Sequence, residues 1–372
     1  MPRVLFVLVS AVLLVAVGRP PDIPFIKHEL DGGANETCAF ADVNGDGRLD
    51  IVSGENWFEA PNWTKRHFRD LPFTNNYIDN FSDLALEVNG DGRIDIVSVS
   101  WFSRRIAWFQ NGTWKEHPIE SGSPVEFAFL VDLDNDGRAR ELLPQFGSDK
   151  MPLAWYEIRD GAFVRRPVSD RSYGHGIGAG DVNSDGRTDI LTPQGWFEAP
   201  DWKWRPEWRE EKGLGFMHVL DVNGDGRNDI VSSYAHDYGI FWLEQGRDGK
   251  WTRHMIDESF SQAHALTVVD LNGDGRRDLL TGKRYMAHNG RDPGEREPLG
   301  IYWYEWLPGA RIEWVRHVID YGGRAGGGMQ IPAADVDGDG DLDFAVGGKS
   351  GVFLFENGTR RSPASAKRQF SK

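Results

Sequence analysis

Short apolar runs, each ended by Gly, Asn or Asp, recur along the whole chain. Examples are Ala263-His-Ala-Leu-Thr-Val-Val-Asp270, Asp229-Ile-Val-Ser, Ala107-Trp-Phe and Ile301-Tyr-Trp-Tyr. β-Branched and aromatic residues dominate the runs, which predicts strands rather than helices. The runs fall into groups of four. An inner strand leads into an acidic loop, and a second strand such as Asp50-Ile-Val follows it. A third is aromatic, as in Ala154-Trp-Tyr and Ile240-Phe-Trp. The fourth carries a basic-aromatic signature, as in Thr252-Arg-His-Met-Ile and Val315-Arg-His-Val-Ile. His28, His67, His117, His254 and His317 share one position in that fourth strand, so they read as structural.

The acidic loop is the strongest repeat. Asp42-Val-Asn44-Gly-Asp46-Gly-Arg-Leu-Asp50 returns as Glu87, Asn89, Asp91 and Asp95; as Asp132, Asp134 and Asp136; and as Asp181, Asn183, Asp185 and Asp189. Three further copies carry Asp221, Asn223, Asp225 and Asp229; Asp270, Asn272, Asp274 and Asp278; and Asp335, Asp337, Asp339 and Asp343. The starts are 45, 45, 49, 40, 49 and 65 residues apart. Oxygen side chains at positions 1, 3, 5 and 9, with Gly at 6, suit a hard cation that takes six to eight oxygens, namely Ca2+. An EF-hand is excluded, because it requires Glu at position 12, where the first two copies carry Ser53 and Ser98. Arg140 replaces the ninth-position Asp of the third loop, so that loop is expected to bind calcium weakly or not at all.

A period of this size with four strands per unit predicts an all-β fold, a seven-bladed β-propeller with calcium loops between the first and second strands of the blades. The propeller spans residues 22–357. The last copy lacks a fourth strand, and residues 25–30, Phe-Ile-Lys-His-Glu-Leu, match the missing one, so this N-terminal strand is expected to close the ring. In these loops and this period the chain resembles FG-GAP/VCBS-repeat proteins over nearly its whole mature length. The resemblance implies a rigid propeller with calcium loops on one face and says little about chemistry.

Residues 1–18 read as a signal peptide: Arg3, an apolar stretch from Val4 to Val17, then Ala16-Val17-Gly18 as a cleavage pattern. The run is short for a membrane span, so a secreted or periplasmic protein with no span in its mature form is expected. Residues 358–372 read as a polar tail. The net charge of −15 argues against a nucleic-acid partner. Positions 1, 3, 5 and 9 of the seven loops hold 22 carboxylates, so the acidity is that of cation ligands. Cys38 stands alone, and no disulfide framework is available. A monomer is expected.

The remaining histidines mark a site. His175 and His264 each lie six residues before the first acid of a loop, at the start of an inner strand, and His236 falls in a second-to-third-strand connection. These places share the face opposite the calcium loops. His218 lies deeper in its strand and reads as packing. The insertion 283–298 opens on the same face, as do Tyr77, Asp79, Glu126, Arg171, Tyr173, Gln262, Arg324 and Gln330. Polar groups interleaved with aromatic rings suit a carbohydrate or glycoconjugate. The arrangement also resembles the propeller of aldos-2-ulose dehydratase, although the cupin domains of that enzyme are absent. By that resemblance His175, His236, His264 and Glu126 hold one Zn2+ or similar ion, and His288 or Tyr173 serves as base. Lys283 and Arg284 then stabilise an enolate oxygen, which implies a lyase (dehydratase) acting by β-elimination on a keto-sugar. The rival expectation is a non-catalytic lectin-like or protein-binding propeller, with hydrolysis by paired carboxylates as a third class.

Overall fold

The computed structural model describes residues 22–148, 150–309 and 311–360. The expected signal peptide and most of the polar tail lie outside them. Among the described residues every regular element is a β-strand, and none is a helix long and apolar enough to cross a membrane.

The strands form five four-stranded sheets and one eight-stranded sheet, with a small hairpin, Phe73–Thr74 with Tyr77–Ile78, beside them. The eight-stranded sheet is two four-stranded meanders joined edge to edge. Their innermost strands, Ile177–Gly180 and Phe216–Leu220, pair in parallel. Gly178 makes this seam possible, since a Cβ there would lie 2.2 Å from the Met217 carbonyl oxygen. Elsewhere each meander runs antiparallel in chain order, so neighbours in sequence are neighbours in space. The last sheet is completed from the other end of the chain: Phe25–Asp31 pairs antiparallel with Gly351–Asn357.

Burial explains the composition of each strand. The strand after every acidic loop is buried along its length, as in Asp95–Ser100, Glu141–Phe146 and Asp343–Gly348. It has covered faces on both sides, which is why it reads as a continuous apolar run. The outermost strands are half-exposed, and Thr64–His67 is exposed throughout. Three of the recurring histidines lie flat on a cross-strand Trp of the third strand. The ring centroids are 4.3 Å apart for Trp108 and His117, 4.4 Å for Trp242 and His254, and 4.1 Å for Trp303 and His317. His218 donates or accepts nothing in a site; its Nε2 binds the Leu266 carbonyl oxygen at 2.7 Å.

The acidic loops fold on their own side chains. Asp42 accepts the amides of Asp46 and Gly47, and Asn44 and Asp46 accept those two residues on. The ninth position does something separate. Asp50 is fully buried and accepts the Val43 amide at 3.1 Å and the Ala60 amide at 2.8 Å, tying the loop to the end of the third strand. Asp95, Asp189, Asp229 and Asp343 repeat both bonds. Burial pushes Asp50, Asp189 and Asp229 up to about 6, and Asp278 and Asp343 up to about 7. The sequence treats all four acidic positions alike, and the structure separates them.

The third loop fills the ninth-position role with a different residue. Arg140 does leave the ninth position without a carboxylate, but Glu141 accepts the Leu133 amide at 3.0 Å in its place. Glu141 pairs with Val131 in the ladder as Asp50 pairs with Ala41, so the third loop is one residue longer and Glu141 holds the equivalent register. Asp132, Asp134 and Asp136 converge here, with oxygens within 4.8 Å of one another, as do Asp335, Asp337 and Asp339 in the last loop. Arg140 itself binds Asp136 at 2.8 Å, so the local competitor for a cation is this guanidinium rather than a missing ligand.

Candidate metal centre

Glu126 is the second residue of the strand Val125–Val131; His175 precedes Ile177–Gly180 and His264 precedes Leu266–Val269. His236 lies in the connection between Asp229–Ser233 and Tyr238–Gln245. Inner-strand starts crowd together where sheets converge, and these four side chains meet there. One ligand atom from each lies within 4.8 Å of all the others. Glu126 Oε2 is 2.7 Å from His175 Nε2, and Oε1 is 3.4 Å from His264 Nε2 and 3.8 Å from His236 Nε2. The two Nε2 atoms of His175 and His236 are 3.1 Å apart. Ligand bonds of about 2.0–2.2 Å at tetrahedral or octahedral angles set neighbouring donors roughly 3.0–3.5 Å apart, so the spacing fits one ion.

The other ring nitrogens are held from behind. His175 Nδ1 donates to the Leu214 carbonyl at 2.7 Å, and His236 Nδ1 lies 3.0 Å from Asp292. Each contact leaves Nε2 facing the cluster, the arrangement by which ligating imidazoles are oriented. His264 is different. It is fully buried, and neither of its nitrogens makes a hydrogen bond, Nε2 lying 3.4 Å from Glu126 Oε1. Burial pushes this imidazole down to about 3, which keeps it neutral as a ligand must be. Burial works to raise Glu126, but His175 first, then His236 and His264, hold it well below the usual carboxylate range. For His236 burial acts downward, and Asp292 and Glu126 outweigh it, so the ring sits above its ordinary value.

Two of the four residues expected to do chemistry join this centre. Arg284 is buried, with Nη1 3.5 Å from Glu126 and Nη2 3.0 Å from Glu36. His288 stacks on His236 at 4.3 Å, and its Nδ1 lies 2.8 Å from Asp292. The other two are placed elsewhere. Lys283, though adjacent to Arg284, turns the opposite way and donates to Ser261 Oγ at 2.7 Å, with Glu297 at 3.8 Å. Tyr173 packs on Trp204 at 4.3 Å and Phe197 at 5.3 Å, under Arg171. Neither contacts the cluster: Lys283 is consecutive with Arg284 and so faces the opposite side, and Tyr173 is taken up by the Trp204 and Phe197 rings. Asp79 caps the amides of Phe102 and Ser103, Gln330 accepts from Thr37 and the Asp83 amide, and Arg324 pairs with Glu29. These three support the scaffold.

Asp292 and Glu36 were missed. Asp292 lies in the insertion that the sequence marks only as a whole, and Glu36 has no repeat equivalent or motif to announce it. A cavity of about 180 Å3 opens beside Glu126, Arg284 and His288, walled by Tyr77, Phe81, Trp101 and Phe102.

Comparison with known proteins bears on the fold. Residues 221–281 match the FG-GAP-like repeat family. A search of curated proteins finds no match. Among solved structures, the BBS1N propeller in complex with ARL6DN, soaked with lead, aligns at 10% identity, covering 91% of this chain and 98% of that one, with a TM-score of 0.60. Its mercury-soaked counterpart gives 9% identity, 91% and 97% coverage, and 0.57. The extracellular domain of BT4673, assigned as a one-component system of B. thetaiotaomicron, gives 14% identity and a TM-score of 0.50, covering 89% of this chain and 39% of that one. At such identities the likeness is one of fold. This all-β chain thus has a propeller-like fold and carries a stretch, residues 221–281, similar to the FG-GAP-like repeat.

Proposed function

We propose that the chain is an exported, seven-bladed propeller stabilised by calcium in its acidic loops, and that Glu126, His175, His236 and His264 hold one zinc-like divalent ion beside a carbohydrate pocket. Buried His264 carries this reading: a neutral imidazole with both nitrogens unpartnered, facing a carboxylate and two further imidazoles, has no folding rationale without a ligand. The donor set, three imidazoles and a carboxylate, suits zinc and its neighbours. An ion there supplies Lewis acidity toward a substrate carbonyl.

The protein residues then divide the work of a β-elimination. Asp292 holds His288 by Nδ1, leaving Nε2 as the base for the α-proton. Arg284 faces the oxygen on which charge develops and is itself held by Glu36. The aromatic wall offers faces for the C–H surface of a sugar ring. That wall equally suits a lectin-like binding module, in which the ion would orient a ligand without turnover.

Elemental analysis of the purified protein tests the centre: about one transition-metal ion per chain is expected, in addition to calcium, and none in His264→Ala. Calcium alone in the unsubstituted protein would overturn the metal centre.

A further inference from the structure

We infer that the ligand of this cavity is an acidic sugar, one that carries a carboxylate, and that Arg291 is its anchor; the inference rests on the metal-centre reading and narrows it. The cavity has two unlike walls. Tyr77, Phe81, Trp101 and Phe102 form one, while Arg284, Arg291 and His288 line the other. The carboxylate that reaches the cavity, Glu126, is already committed to three histidines and Arg284.

Arg291 is exposed, and its Nε donates to the His288 carbonyl at 3.0 Å. That bond fixes the guanidinium plane beside the cavity, and among the described residues no carboxylate pairs with its terminal nitrogens. A planar fork held by one edge, with the other edge presented to a pocket, is suited to bidentate capture of a carboxylate. Formal charge points the same way. Around the cavity stand Glu36, Glu126, Asp292 and Glu295 against Arg284, Arg291 and Lys349, whose ammonium lies 3.5 Å from the centre of the Tyr77 ring. A divalent ion in the centre would add two positive charges among these groups. An anionic ligand is therefore favoured more strongly when the metal is in place than when it is not.

The test is calorimetric titration of the metal-loaded and chelator-treated protein with galacturonate and with galactose, alongside elemental analysis. Galacturonate is expected to bind the loaded protein about tenfold tighter than galactose, as a charge-assisted pair implies, and to lose that advantage on chelation. Arg291→Ala should bring galacturonate down to the level of galactose while metal content and melting temperature stay unchanged. Arg291→Lys should restore only part of the difference, since an ammonium is not a fork. Equal binding of both sugars, no binding of either, or an unaffected Arg291→Ala overturns the acidic-sugar inference and leaves the metal centre standing. Failure of the protein to take up a metal overturns both.

Discussion

Replacing His264 by Leu separates what this residue does for folding from what it does for the site. The imidazole is fully buried with two nitrogens that bond to nothing, and an unsatisfied buried polar group costs about 1–3 kcal/mol. Leu has a similar volume and no polar atoms. Glu126 keeps His175 at 2.7 Å and Arg284 at 3.5 Å, so its charge remains compensated. The metal-free variant should therefore be as stable as the unsubstituted protein or more stable, by up to about 3 kcal/mol. In a domain of this size that is a rise of a few degrees in melting temperature, at roughly 2 °C per kcal/mol. With metal the order should reverse. An ion at 100 times its dissociation constant adds about 2.7 kcal/mol to the unsubstituted protein and nothing to a variant that has lost a ligand. Scanning calorimetry with and without added zinc reads both effects. A variant that melts well below the parent in chelator would refute the reasoning, because His264 would then be a packing residue. So would a zinc-induced shift that survives the substitution.

Other expectations follow from the same geometry. Asp189→Ala should destabilise by about 2–4 kcal/mol even in chelator, because it orphans the buried amides of Val182 and Ala199, whereas Asp185→Ala, at an exposed ligand position, should act only when calcium is present. Thermal melts in calcium and in chelator distinguish the two. His254→Ala should cost about 1 kcal/mol through loss of its stack on Trp242 and its contact with Glu244 at 2.8 Å, with metal content unchanged by elemental analysis. In metal-free protein, His264 is lowered in the folded state from 6.5 to about 3, so the unfolded state binds its proton first as pH falls. Stability is therefore fully present above 6.5 and is lost between 6.5 and 3, by up to about 1.4 kcal/mol per pH unit. Chemical denaturation across that range should show a shallower slope for His264→Leu. Deleting residues 22–31 removes the partner of Gly351–Asn357 and should expose an open edge, seen as aggregation in light scattering.

Repetition made much of this molecule legible. Seven acidic loops at near-regular spacing report strand order, because each loop must join two adjacent strands, and the histidines outside the repeat were visible as exceptions to it. His175, His236, His264 and Glu126 could be grouped because three of them start inner strands or sit in connections on one side. What repetition cannot convey is side-chain direction within an irregular connection. Lys283 and Arg284 are consecutive, yet one faces Ser261 and the other Glu126. Tyr173 is two residues from His175 and packs against Trp204 instead. Asp292 and Glu36 act through pairings across long sequence separations, His236 with Asp292 and Arg284 with Glu36, which no local pattern encodes. The ninth-position carboxylates were recognised but assigned to cations alone, because burial is invisible in a motif that also reads as a ligand set.

The four residues of the centre come from three different sheets: Glu126 from one, His175 and His236 from the joined pair, and His264 from the next. An ion gripping all four would be a staple across a span of 138 residues, from 126 to 264, in a chain whose single cysteine, Cys38, permits no intramolecular disulfide. Closing a loop of that length in advance removes chain entropy worth on the order of 4–5 kcal/mol from the unfolded ensemble, if the tie persists there. It does not persist, because the ligands separate on unfolding. The staple therefore acts on motion rather than on the unfolded state. It resists the splaying of three sheets at their central ends, and backbone amides at 125–128, 175–180 and 264–268 should exchange together, slowly when the ion is bound and as independent segments when it is gone.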